Sequence, residues 1–268
     1  MKITGHTRTY ALIGDPIAHA KTPELYNRKF AERGIDVVVV PVHVSPESIG
    51  DFATAARSWE NLVGIGVTIP HKEGMIEQVD RLTDAARLCG ATNVIRRAGD
   101  GALTGTQMDG PGFVWSLRDN GVSAEGAKVL VQGAGGTARA IAFELAASGA
   151  ASVTIANRTA ERAESLAESI RSAYPDCMAE ADRMPAGQFD LIVNATSVGM
   201  KESDPLPLDA DLLTAGTVVA DVIMSPPETA LLAEARTRGC VTHSGLRMLE
   251  AQFEATVAFL GLDKEEIV

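Results

Sequence analysis

The sequence predicts an α/β protein made of two α/β domains, the second a Rossmann-type, doubly wound nucleotide-binding domain, with a cleft between them. Three observations carry the prediction. Short β-branched runs alternate with helical stretches along most of the chain, the pattern of a largely parallel sheet covered by helices. A glycine-rich turn, Gly133-Ala134-Gly135-Gly136-Thr137-Ala138, follows the apolar run Val129-Leu130-Val131 and opens an Ala-rich segment. The length of 268 residues suits two domains of about 100 to 150 residues, with no low-complexity linker and no internal repeat.

In order along the chain, residues 10–13 form a strand candidate that Gly14-Asp15-Pro16 breaks. Pro23 fits the first turn of a helix running through Leu25, Arg28 and Phe30, with Gly34 placed to end it. Residues 37–42 are β-branched and read as the next strand. Ser45-Pro46-Glu47 opens a helix toward Arg57, and residues 62–68 give another strand before Pro70. Residues 93–97 and 102–104 flank the turn-rich tetrad Ala98-Gly99-Asp100-Gly101 and are expected to pair as a hairpin. From Lys128 strands are expected at 129–131, 153–156, 191–194, 218–222 and 240–242. Helices are expected after Gly136, over 161–172 and over 228–238, the last ending at Gly239. Residues 246–260 form a final amphipathic helix with Leu249, Phe253, Val257 and Leu260 on one side.

The glycine turn carries the first chemistry. In G-x-G-x-x-A spacing, Gly133 permits the sharp turn, Gly135 lets a pyrophosphate approach the backbone, and Ala138 is small enough for close helix–strand packing. The phosphates of a dinucleotide then sit on the amides at the helix start. A Gly-rich turn in any βαβ unit has the same spacing, so the second strand matters. It ends in Asn157-Arg158, where an NAD enzyme usually carries an acid; a guanidinium suits a ribose phosphate and points to NADP.

Charge and composition exclude other classes. A net charge of −11 argues against a broad phosphate-binding surface and hence against nucleic acid as a partner. Cys89, Cys177 and Cys240 are too far apart for a zinc motif and odd in number, as expected of reduced structural thiols; no metal site is expected. The first nine residues lack the apolar core of a signal peptide, and no run approaches the ~18 apolar residues of a membrane span, so a cytoplasmic location without membrane contact is expected.

Four further stretches accompany the glycine turn: Gly14-Asp15-Pro16-Ile17-Ala18-His19, Val67-Thr68-Ile69-Pro70-His71-Lys72, Gly90-Ala91-Thr92-Asn93 and Gly245-Leu246-Arg247-Met248-Leu249-Glu250-Ala251-Gln252. Together they resemble the shikimate dehydrogenase family over about residues 11–261. The resemblance implies a substrate domain over 1–105, an NADP domain over 106–245, and a C-terminal helix, 246–268, returning to the first domain. It implies reversible hydride transfer between NADP(H) and a ring hydroxyl or ketone of a shikimate-like cyclic polyol, by a monomer or homodimer. Lys72 and Asp109 are the implied catalytic pair, with Asp109 pairing the lysine and holding a substrate hydroxyl. Thr22, Thr68, Asn93 and Gln252 are implied substrate contacts. Around the cofactor it implies the whole glycine turn from Gly133 to Ala138, then Asn157, Arg158 and Thr159, then Thr196, Gly199 and Met200, with Val222 and Gly245.

The chemistry of that pair stands beside the resemblance. Ketone reduction needs a hydride and a proton for the oxygen as it becomes an alkoxide. Lysine side chains titrate near ~10.4 in water, so Lys72 begins protonated for reduction and must accept the proton for oxidation. His19 and His71 show no ligand cluster around them and are expected to be structural. Taken singly, Lys72 also reads as a helix-start lysine, Asp109 as a turn residue before Gly110-Pro111-Gly112, and Gln252 as an exposed helix residue.

The chain departs from the family at one end of the expected pocket. Ala20 and Thr22 stand where two serines bind the substrate carboxylate, Gly66 replaces an Asn, and Met224 replaces a Tyr. Gln107-Met108 replaces Asn-Thr before Asp109. These changes remove polar groups, and Gly66 and Ala20 are expected to enlarge the space. Shikimate itself is therefore not the expected substrate; quinate dehydrogenase and a non-catalytic NADP-binding sensor are the alternatives.

Overall fold

A computed structural model of the chain describes residues 2–263. The chain divides into two compact units, Met1–Met108 with Gln252–Val268, and Asp109–Ala251. The last five residues of the helix expected over 246–268 lie outside the described residues.

The first unit is built on a six-stranded sheet. Its strands are β1 (Arg8–Gly14), β2 (Val37–His43), β3 (Leu62–Val67), β4 (Arg81–Leu82), β5 (Val94–Arg97) and β6 (Leu103–Thr106), in the order β2-β1-β3-β5-β6-β4. β1 runs parallel to both β2 and β3, whereas β5 is antiparallel to β3 and β6. Helix α1 (Thr22–Glu32) carries Pro23 in its first turn, as its fixed φ favours. The helix expected from Ser45 begins instead as a 3-10 turn, Pro46–Ser48, and becomes α2 only at Ile49–Arg57. α3 (Asp84–Cys89), capped by the Thr83 hydroxyl, and the two-residue β4 are too short to show a period in the sequence. One face of the sheet packs Ala11, Ile13, Ile65, Val67 and Ile95 against Ala53, Ala56 and Met75.

The second unit has a wholly parallel sheet of β7 (Lys128–Gln132), β8 (Ser152–Ala156), β9 (Met178–Ala181), β10 (Leu191–Asn194), β11 (Val218–Asp221) and β12 (Val241–Ser244). Its order, β9-β8-β7-β10-β11-β12, is that of a doubly wound dinucleotide fold, with the winding reversing between β7 and β10. The short runs Val129–Val131 and Leu191–Val193 are fully buried, as central parallel strands require. Its helices are α4 (Asp109–Asp119), α5 (Gly136–Ala147), α6 (Ala160–Ala173) and α7 (Ala230–Thr237). α4 was not legible as a helix because Gly110-Pro111-Gly112 lies in its first turn. A Cβ on Gly110 would sit 2.4 Å from the Ala140 carbonyl oxygen, so the glycine is what lets α4 lie against α5.

α8 (Gly245–Leu260) starts in the second unit, and from Gln252 onward it belongs to the first. There Phe253 meets Tyr26 edge-on at 5.0 Å between ring centroids and Phe30 at 5.3 Å, and Thr256 Oγ1 lies 3.3 Å from Tyr26 Oη. Leu249, Phe253, Val257 and Leu260 are all buried.

Candidate active site

In the first unit Gly66 and Thr68 lie at the carboxyl end of β3, beside the end of β1, and Asn93 pairs with Val67. The Thr68 amide donates to the Ile13 carbonyl (2.9 Å) and the Asp15 amide to the Ile69 carbonyl (3.0 Å), so the segments after the two strands are laced together. The turn that follows is tied down by His71, which is buried and whose Nε2 lies 2.7 Å from the Val44 carbonyl. That bond gives His71 a structural place. Lys72, half-buried, accepts a 2.9 Å hydrogen bond at its carbonyl from the Thr92 amide, which seats it beside Asn93. Asn93 is buried between strands: its amide donates to Thr106, its carbonyl accepts from Val67, and its Oδ1 accepts from the Met108 amide at 2.8 Å. Thr22 opens α1 and Ala20, half-buried, precedes it. Gln252 is 5% exposed, so the exposed-helix reading does not hold.

Gly66 does not enlarge this end of the unit. A Cβ there would lie 2.7 Å from Leu12 Cδ1 and 2.9 Å from Tyr10 Oη. Both side chains already fill the volume that an Asn at this position would take, and the expectation of added space is corrected at Gly66. Tyr10 went unnoticed in the sequence because it reads as one more core residue of β1.

In the second unit the glycine turn joins β7 to α5. Gly133 has φ +118°, a conformation that disfavours any side chain, and its Cβ would come within 3.0 Å of the Ala195 carbonyl oxygen. Gly135 caps α5 in extended conformation, and a Cβ on it would meet nothing within 4 Å. Open space above the backbone at a helix start fits a pyrophosphate, and Ala138 is fully buried. Asn157, Arg158 and Thr159 follow β8 directly. Asn157 Nδ2 donates to the Thr159 carbonyl (2.9 Å), while the Arg158 side chain is on the exposed surface, as a ribose-phosphate ligand requires.

At the reversal point, the segment after β10 is held by a buried polar network. Asn194 Oδ1 accepts from the Thr196 amide (3.1 Å) and hydroxyl (2.7 Å), and Asn194 Nδ2 donates to the Val198 carbonyl and to Asp221 Oδ1, both at 3.1 Å. Asp221 is 1% exposed and also accepts from the Thr229 hydroxyl (2.7 Å) and the Ile223 amide (3.0 Å). Burial raises its carboxyl above the usual range, and those donors pull it back. Gly199 and Lys201 donate their amides to Asp204, which shapes the turn that contains Met200. Val222 and Met224 are half-buried after β11. Gly245 lies against Val222, whose carbonyl oxygen would be 2.3 Å from a Cβ. Asp109, at the first residue of α4, is buried and not a turn residue; its Oδ2 accepts from Thr137 Oγ1 at 3.1 Å, which links it to the glycine turn. The Asn194–Asp221–Thr229 network leaves no local pattern in the sequence, since Asn194 lies 27 positions from Asp221.

Fold and turn together define a two-unit α/β protein of the dinucleotide-dependent dehydrogenase class. Residues 12–95 match the shikimate dehydrogenase substrate binding domain and residues 117–201 the shikimate / quinate 5-dehydrogenase model. The chain is 40% identical to a shikimate dehydrogenase (NADP(+)) of Rubrobacter xylanophilus, with 98% of this chain and 94% of that protein covered. Among solved structures it is similar to a shikimate dehydrogenase in complex with NADP+ (34% identity, TM-score 0.89, 97% and 91% covered). It is also similar to the ligand-free 5-ketofructose reductase of Gluconobacter sp. strain CHM43 (35% identity, TM-score 0.83, 95% and 92% covered). The chain belongs to the shikimate dehydrogenase family.

Proposed function

We propose that this enzyme uses NADP to interconvert a secondary alcohol and a ketone on a polyhydroxylated substrate, and that the substrate lacks the carboxylate of shikimate. The observation that carries the reading is the chemistry at Ala20, Thr22, Gly66 and Met224. Where carboxylate-binding groups are expected, only the Thr22 hydroxyl remains, and the volume at Gly66 holds Leu12 and a phenol. A hydrogen bond to a charged group is worth about 1.5–3 kcal/mol, so losing three of them weakens carboxylate binding by roughly 10³- to 10⁶-fold. A solved relative named for reducing 5-ketofructose supports a keto sugar as the substrate class. The curated relatives named shikimate dehydrogenase support shikimate as the second reading.

Gly133 to Ala138 are assigned to the pyrophosphate, Asn157, Arg158 and Thr159 to the ribose phosphate, and Thr196, Gly199, Met200, Val222 and Gly245 to the nicotinamide side. When bound, NADP(H) supplies the hydride. Lys72 donates the proton to the substrate oxygen in reduction and takes it back in oxidation. Asp109 accepts a substrate hydroxyl, with Thr137 fixing its carboxylate. Thr22, Thr68, Asn93 and Gln252 bind the remaining hydroxyls.

Purified protein is to be assayed with NADPH against keto sugars, including 5-ketofructose, and with NADP and NAD against shikimate and quinate. Efficient turnover of a neutral polyhydroxy ketone, lost in Lys72→Ala, is the expected result. Shikimate turnover equal to or better than every neutral substrate overturns the reading. Cofactor binding without turnover of any polyol or ketone would favour a sensor.

A further inference from the structure

The parallel part of the first sheet runs β2-β1-β3, so its winding reverses between β1 and β3. In open α/β sheets, ligands bind beyond the carboxyl ends of the strands at such a reversal. Here that edge is formed by Gly14 and Thr68: a Cβ on Gly14 would be 2.6 Å from Thr68 Cγ2. One pair back from the edge Leu12 stands opposite Gly66, and two pairs back Tyr10 stands opposite Gly64. Because strand side chains alternate, Tyr10, Leu12 and Gly14 share one face with Gly64, Gly66 and Thr68.

Tyr10 does not stay level with its own partner. Its Oη approaches the Cβ position of Gly66, one pair nearer the ligand edge, and it can do so because Gly66 has no side chain. The residue is 2% exposed, yet its hydroxyl makes no hydrogen bond among the described residues, whereas the neighbouring Tyr26 hydroxyl pairs with Thr256. The Tyr10 hydroxyl is not among the fully buried unpaired atoms, so it keeps the small exposure that a ligand contact needs.

We propose that the Tyr10 hydroxyl is a specificity-determining contact that takes the place of an amide at position 66 and binds an uncharged oxygen of the substrate. The inference rests on the reading that the first unit holds a neutral polyhydroxy ketone. Burial, reinforced by Tyr26, pushes the Tyr10 hydroxyl well above its ordinary titration range, so it stays neutral and both donates and accepts. Such a group matches a hydroxyl or carbonyl oxygen and adds no charge to hold a carboxylate.

Tyr10→Phe tests the contact while keeping the ring that stacks on Tyr26 at 6.4 Å. With no protein partner to lose, the variant should melt at the same temperature as the parent or higher. KM for the preferred ketone should rise about three- to tenfold, the worth of a neutral hydrogen bond, with kcat and KM for NADPH changed less than twofold. A purely structural tyrosine would do the opposite, lowering the melting temperature and leaving KM alone. That result, or an unchanged KM for every accepted substrate, overturns the proposal. Should the parent enzyme prefer shikimate, the ketone reading falls separately, and the contact is read on the KM for shikimate, whose ring hydroxyls are also uncharged oxygens: a rise upholds it and no change overturns it.

Discussion

At the scale of single residues, function turns on what each side chain meets. Arg158 is exposed immediately after β8, free to reach a ribose phosphate. Arg158→Ala is expected to raise KM for NADP by tenfold or more, since a hydrogen bond to a charged group contributes about 1.5–3 kcal/mol, and to leave KM for NAD within about twofold. Steady-state kinetics with both cofactors checks this. Gly66 shows the limit of reading a residue by its name alone. The substitution of an Asn by Gly is visible in the sequence, but whether it opens a void depends on Tyr10 and Leu12, more than fifty positions earlier. Lys72, Thr68 and Asn93 stand out in the sequence because each sits in a contiguous motif. Tyr10 does not, because a strand tyrosine in an apolar run looks like core.

At the scale of elements, the loops are held by buried side-chain networks that no local pattern announces. Asp221 at the end of β11 accepts three hydrogen bonds, from Asn194, Thr229 and Ile223, and so ties the segment after β10 to the start of α7. Asp221→Asn presents an amide to donors that need an acceptor. We expect it to cost about 1–3 kcal/mol in urea unfolding and to raise KM for NADP, because the Thr196–Met200 segment loses its anchor. Unchanged stability would show that the network is not under the load described. The long, strongly periodic elements, α6 and α8 among them, were legible within a few residues. The two-residue β4, the short α3, and α4 with its Gly-Pro-Gly opening were not. Their conformation is decided by the surfaces they pack on rather than by their own composition.

At the scale of the whole molecule, stability and pH are linked through His243. This side chain lies at 3% exposure on β12, with its Nε2 2.8 Å from Ser116 Oγ and Phe113 edge-on at 6.0 Å. Burial, helped by the charge of Arg247, pulls its pKa down to about 4. The unfolded chain therefore binds this proton first. The contribution is complete above the unfolded value near ~6.5 and is lost as pH falls through the window down to about 4, by roughly 3 kcal/mol at most. Thermal melts between pH 7.5 and 4.5 should fall more steeply for the parent than for His243→Gln; equal slopes would remove His243 as the cause. By itself the sequence determined the fold class, the glycine turn, the Asn157-Arg158 pair and the motifs around Lys72 and Gln252, because each is a local pattern of spacing and side-chain type. Only the tertiary structure decided that Gly66 is filled rather than empty, that Asp109 is tied to Thr137, and that Asp221 anchors a loop. The physical reason is that volume and hydrogen-bond satisfaction belong to groups brought together by the sheets from distant parts of the chain.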